Sequence, residues 1–315
     1  MKKLISLLLV LLLACCASAE INVTALNGPT GMGICKLMSD EEGKDTYTFS
    51  LAASADLVTP GLIRGGIDIA CIPANLASIL YNNTNGGIKV LAVNTLGVLY
   101  IVENGDTVHS IEDLKGRTLY SSGKGSTPEY ALDYLLQAHG LDPEKDVNII
   151  FKSEHAECLT ALINDKSAAA LLPQPFVTVA QGKLDTMRIA LDLTYEWDAL
   201  DAGSQMITGV VVARSAFVND YPQAVDEFLT AYAASVEFAN TETDAAAALI
   251  AGYGIVAEDV ARTALPYCNI VCITGEEMRT SLGGYLDVLA AQNPQAVGGK
   301  VPDEGFYYIS EAQEQ

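Results

Sequence analysis

Histidine, tryptophan and basic charge are scarce in this chain. Its 315 residues hold three histidines, one tryptophan and 18 lysines and arginines against 39 aspartates and glutamates, for a net charge of −21. Each scarcity closes a class of function. A surface this acidic repels phosphate backbones, which sets nucleic acid aside as a partner. Of His109, His139 and His155, the first two fall in a loop and at a helix end, so His155 is the lone candidate base. Ser121 or Cys158 could be paired with it as a nucleophile, but no G-x-S-x-G elbow accompanies either. A single tryptophan, Trp197, argues against a large flavin-like ring as ligand.

Cysteine cannot supply a disulfide framework. Cys15 and Cys16 lie near the N-terminus, leaving Cys35, Cys71, Cys158, Cys268 and Cys272, an odd number. The run "YCNIVC" would suit one bridge or a metal pair, but no second Cys/His pair at zinc spacing goes with it, so neither metal nor cofactor is expected. A long apolar run occurs only at Leu4 to Leu13, after Lys2 and Lys3 and before Ala17-Ser18-Ala19. That order is a secretory signal, and the run falls short of the roughly 20 residues a membrane span needs. "LLAC" (12–15) also resembles a bacterial lipobox, so cleavage after Ala19 and lipidation at Cys15 both stand. The chain is expected to be exported, in the periplasm or on the cell surface, with or without a lipid anchor.

No repeat and no low-complexity tract is present, which excludes solenoids and propellers. Half of the residues are hydrophobic, and the length suits two domains. Short apolar runs such as "INVTAL", "IDIACI", "IKVLAVN", "VNIIF" and "QMITGVVVAR" alternate with helical patterns up to Arg214. Consecutive helices follow, and 275–292 repeats leucine at helical spacing. The alternation predicts parallel βαβ units. Long strand-like runs at 97–104 and 203–214 read as crossovers. They divide the chain into a signal (1–19), a first lobe (20–103 and 206–315) and a second lobe (104–205), with a cleft between the lobes.

The segments "LNGPTGMG", "LIRGGIDIACIPANLAS", "VHSIEDLKGRTLYSSGKGSTPEYALDYLL", "ALINDKSAAALLPQPF" and "YPQAVDEFLTAY" occur in that order over nearly all of the mature chain. In this order they resemble the solute-binding proteins of ABC importers, in the nitrate/taurine/sulfonate and thiamine-precursor branch. The resemblance implies a bilobed type II periplasmic-binding-protein fold, two α/β lobes joined by two crossover strands. It also implies a monomer without catalysis or cofactor, which binds a small organic solute (sulfonate, carboxylate, nitrate-like anion or heterocycle) and delivers it to a membrane permease. Some relatives of the fold are enzymes of pyrimidine or menaquinone-precursor synthesis, but these work inside the cell, against the export signal.

Two glycine-rich loops are candidate ligand seats. "SSGKGSTPEY" fails as a phosphate-binding P-loop, because six residues separate Gly116 from Gly123 and Gly125 follows Lys124. What remains is a strand, a turn through Gly123, Lys124 and Gly125, and a helix with Ser126 or Thr127 as N-cap before Pro128, whose free N–H groups suit an anion. "NGPTGMG" is not a dinucleotide fingerprint, but Thr30, Gly31 and Met32 would offer N–H groups in the same way. Asn75, Asn94, Thr95 and Gln174 are candidate orienting polar groups, and Phe176 offers an aromatic face. Glu154 reads as a capping acid.

Overall fold

The computed structural model describes residues 20–201 and 203–310. The expected signal, with Cys15, and the end of the first lobe's expected range lie outside the described residues. The first unit alternates β1 (Ile21–Leu26), α1 (Pro29–Asp40), β2 (Tyr47–Ala52), α2 (Ala55–Arg64), β3 (Ile69–Pro73), α3 (Ala74–Asn83) and β4 (Ile88–Leu96). A second unit holds β5 (Leu99–Glu103), β6 (Thr118–Ser122), α4 (Thr127–Ala138), β7 (Asn148–Lys152), α5 (His155–Asn164), β8 (Ala169–Pro173), α6 (Phe176–Lys183), β9 (Arg188–Asp192) and α7 (Leu193–Asp198). The chain then returns through β10 (Ile207–Arg214), α8 (Ser215–Asp220), α9 (Pro222–Thr241), α10 (Thr243–Gly252), α11 (Glu258–Ala264), β11 (Ile270–Ile273) and α12 (Gly275–Gln292).

The strands form two sheets, in the orders β11-β4-β10-β3-β1-β2 and β7-β6-β8-β5-β9. Within them β2, β1 and β3 are mutually parallel, as are β7, β6 and β8, while β10 and β5 run against their neighbours. Helices cover both faces of these strands, which is why β3 and β8 read as unbroken apolar runs rather than alternating ones. This is the bilobed architecture the sequence predicts.

Three details differ from that reading. β5 was expected to close the first lobe at 103, yet it pairs with β8 and β9, so the chain crosses between sheets at Gly97–Val98. β11 was not foreseen among the C-terminal helices. Its four residues extend the first sheet beyond β4, too short a run to register against the helical patterns around it. And α1 begins at Pro29, so Thr30, Gly31 and Met32 form its first turn rather than a loop before it.

One apolar cluster runs through both units, from Ile72 and Val93 through Leu99 and Leu119 to Trp197. α12 seals it with Met278, Leu282, Tyr285, Leu286 and Leu289, a stripe at helical spacing. Burial of each such side chain is worth about 1.5–3 kcal/mol, so the two lobes share a core on the crossover side. The crossovers themselves touch. A Cβ on Gly97 would stand 2.0 Å from Thr194 Oγ1 and 2.4 Å from Met206 Cε, so only glycine fits there.

Candidate functional site

Six helices start directly after parallel strands: α1, α2 and α3 in the first lobe, and α4, α5 and α6 in the second. At none of the six does the N-cap residue's own side chain accept from the helix. They differ in charge. Asp56, Glu129 and Glu157 occupy the first turns of α2, α4 and α5, whereas α1, α3 and α6 begin without an acid. In so acidic a chain, that leaves α1, α3 and α6 with unopposed positive dipole ends.

At α1, Thr30 Oγ1 donates to Leu26 O (2.8 Å), while Gly31 and Met32 are buried. A side chain on Gly31 would meet Leu26 O at 2.7 Å. Asn94 and Thr95 lie beneath this turn. An added Cβ on Gly209 of β10 would touch Asn94 Oδ1 (2.5 Å), Thr30 Cγ2 (3.1 Å) and Thr95 Oγ1 (3.1 Å). Thr95 donates to Asn94 Oδ1 (3.1 Å), and both residues are almost wholly enclosed. Expected as solute contacts, they lie enclosed near the α1 turn, and Asn94 Nδ2 has no hydrogen-bond partner among the described residues.

The loop before α4 takes its shape from Gly123 (φ +77°) and Gly125 (φ +75°), backbone angles glycine adopts at little cost. Ser126 is the N-cap by position, but its hydroxyl donates to Gly123 O (2.6 Å) instead of accepting from the helix. The Gly125 N–H, expected to be free for an anion, is taken by the Glu129 carboxylate. "S-T-P-E" is thus a variant of the capping box, with the acid reaching back over the start of its own helix. Lys124 lies over the Phe151 ring (5.5 Å) and Lys152 over Tyr120 (5.3 Å), so two cations flank the ends of β6 and β7.

Gln174 is spent on structure. Its Oε1 accepts from the N–H (3.3 Å) and hydroxyl (3.0 Å) of Thr178 in α6. Phe176 is half-buried and faces His155, with ring centroids 5.0 Å apart. His155 Nδ1 lies 2.5 Å from Ser122 Oγ, a partnership the sequence reading missed by choosing the neighbouring Ser121, whose hydroxyl turns back to Ser122 O. Strand alternation was the available signal: two serines ending a strand must point to opposite faces. Burial lowers the His155 pKa to about 4, so the ring is neutral at physiological pH. Cys158 is fully enclosed and burial pushes its thiol up to about 11, which leaves no thiolate nucleophile beside it.

The lobes meet at these helix starts. Thr127 Oγ1, in the first turn of α4, donates to Asn75 Oδ1, in the first turn of α3 (3.2 Å), and Tyr100 OH donates to Tyr267 O (3.2 Å). Two open concavities lie away from this seam. A groove of about 540 Å³ runs along β1, β2 and α2 past Thr24, Thr48 and Ser50, and a hollow of about 610 Å³ is rimmed by Asp198, Asp201, Glu276 and Glu277. Neither holds any of the expected ligand residues. The helix starts, not the hollows, are the better guide, because they concentrate the oriented N–H donors.

Two α/β lobes that bring helix starts and polar side chains together across a seam define a solute-binding protein of the periplasmic type. Residues 37–258 match the family model described as ABC transporter, phosphonate, periplasmic substrate-binding protein, and the chain belongs to that family. An ABC transporter structure from Parabacteroides distasonis is 26% identical, covering 93% of this chain and 100% of that one, with a TM-score of 0.79. The periplasmic aliphatic sulphonate binding protein SsuA of Escherichia coli shares the fold at 15% identity, covering 93% and 92%, with a TM-score of 0.76. The putative binding protein YtlA of Bacillus subtilis (strain 168) is 24% identical over 170 residues, 52% of this chain. The chain spans about half the length of that curated relative.

Proposed function

We propose that this protein is the extracytoplasmic binding subunit of an ABC importer, and that it carries a small organic oxoanion, a phosphonate or a sulfonate, to a membrane permease. The observation that carries the reading is the set of acid-free starts of α1, α3 and α6 in a chain of net charge −21, with α6 losing only the Thr178 N–H to Gln174. Each such start favours a nearby anion by about 0.3–1 kcal/mol, and Lys124, Lys152 and the Ser122–His155 pair add donors from the second lobe. The family's phosphonate model and the sulphonate named for the E. coli neighbour are consistent with this chemistry. The protein works as a monomer, exported by its N-terminal segment. A solute held by both lobes stabilises their closed arrangement by its differential affinity for that arrangement.

The test is a thermal-shift series on residues 20–315 with methylphosphonate, ethanesulfonate, acetate, nitrate and uracil. A solute at about 100 times its Kd stabilises the fold by about 2.7 kcal/mol. The phosphonate or the sulfonate should raise Tm, and Thr30→Pro, which removes one free first-turn N–H without breaking a helical bond, should reduce the shift. Stabilisation by uracil alone, or by none of the five, refutes the reading.

A further inference from the structure

Asn75 was expected to touch solute, yet its amide is engaged on both sides. Nδ2 reaches Ala296 O (3.4 Å) and Oδ1 accepts from Thr127 (3.2 Å), with the two side chains' residues only 2% and 4% exposed. The first-lobe end of this contact is anchored. Ala296 belongs to the short turn Pro294–Val297 after α12, and that turn is pinned to α3 by Ser78 Oγ to Val297 O (2.7 Å) and by Asn82 Nδ2 to the same oxygen (2.8 Å). On the second lobe Thr127 opens α4, and its hydroxyl also lies beside that of Tyr285 on the first lobe's α12, which is enclosed in the shared core. An acceptor held by its own lobe therefore meets the hydroxyl that opens α4 on the other. Parting the lobes at this point would strand two buried polar groups until water reached them.

We propose that Asn75 and Thr127 are positioning residues, a latch across the seam that sets the equilibrium between open and closed lobes. Its consequence for affinity rests on the carrier reading above, whereas the latch itself does not. One neutral hydrogen bond shifts such an equilibrium roughly three- to tenfold, and solute affinity should fall by up to that factor, as the closed fraction falls.

Small-angle X-ray scattering of ligand-free residues 20–315 tests the latch without any solute. Asn75→Ala and Thr127→Val should both expand the particle, the double variant should expand it no further, and Thr127→Ser, which keeps the hydroxyl, should match the parent. Should Asn75→Ala fail to fold by circular dichroism, the Val and Ser pair at 127 carries the comparison. Superimposable profiles, or expansions that add in the double variant, overturn the proposal. Titration with methylphosphonate then separates the two claims. Expansion with no binding by any variant upholds the latch and sinks the solute reading. Unchanged scattering with weakened binding makes Asn75 and Thr127 direct solute contacts and sinks the latch.

Discussion

Replacing Gly97 by alanine should damage the hinge in a way that a second substitution repairs. Gly97 lies between β4 and β5, its φ is not in the left-handed region, and the backbone therefore admits alanine. Space does not. The new methyl would sit 2.0 Å from Thr194 Oγ1, 3.0 Å from Thr194 Cβ and 2.4 Å from Met206 Cε, where ordinary contact is 3.4–4 Å. Met206 can yield at its flexible end. Thr194 cannot, because it opens α7 with its N–H on Asp192 Oδ1 (2.9 Å). Overpacking of this kind costs about 1–3 kcal/mol, and the 2.0 Å approach places Gly97→Ala near the upper end. Thr194 Oγ1 is buried with no hydrogen-bond partner among the described residues, so Thr194→Ala alone should cost little. In the double variant the worst clash is gone, and at least about 1 kcal/mol of the loss should return. Urea unfolding midpoints of the four proteins measure it. A Gly97→Ala protein within about 0.5 kcal/mol of the parent, or two costs that simply add, would refute the hinge geometry.

Acid should expose two further features in separate windows. His155 titrates near 4 when folded against an ordinary 6.5, so its contribution is present above 6.5 and lost as pH falls towards 4. That is at most about 3 kcal/mol, and less for its exposed edge, so His155→Gln should flatten the stability profile between pH 6.5 and 4. Burial alone would raise the Glu103 carboxyl, but the N–H groups of Val108 and Thr107, the Thr107 hydroxyl and Arg188 outweigh it and hold it near 2. Its contribution is complete above 4.5 and lost as pH falls towards 2, and Glu103→Gln should cost about 2–3 kcal/mol at pH 7 by thermal unfolding. Burial also raises the thiols of Cys35, Cys71 and Cys268 to about 12 and those of Cys158 and Cys272 to about 11. The folded mature protein should therefore react slowly with a disulfide reagent at pH 7.5, and all five thiols quickly in guanidinium. Rapid labelling of Cys35, Cys71, Cys158 or Cys268 in the folded state would contradict their enclosed positions.

Elements with local signals were legible in the sequence. Parallel strands announce themselves as apolar runs bounded by glycine and proline, and β1, β3, β6, β7 and β8 lie within two residues of their expected places. Pro29 at the head of α1 was overlooked, although proline in a first helical turn is itself a start signal. The site was less legible, because its contacts join distant parts of the chain. Asn75 and Thr127 are separated by 52 positions, and Ser122 and His155 by 33. Asn94 looked like a loop residue at a strand end, but β10 and β11 flank β4, so the position became interior once the sheet closed around it. Gln174 shows the same limit at short range, since only the geometry of α6 reveals that Thr178 consumes its amide oxygen.

The central claim is that an organic oxoanion lies between helix starts contributed by both lobes. A crystal structure of the mature protein with methylphosphonate tests it most directly. The account predicts the phosphonate group in the seam, its oxygens accepting from backbone N–H groups at the start of α1 and from donors of the second lobe near His155 and Lys152. An anion bound instead along the open groove past Thr24 and Ser50, or held by one lobe alone, would contradict it.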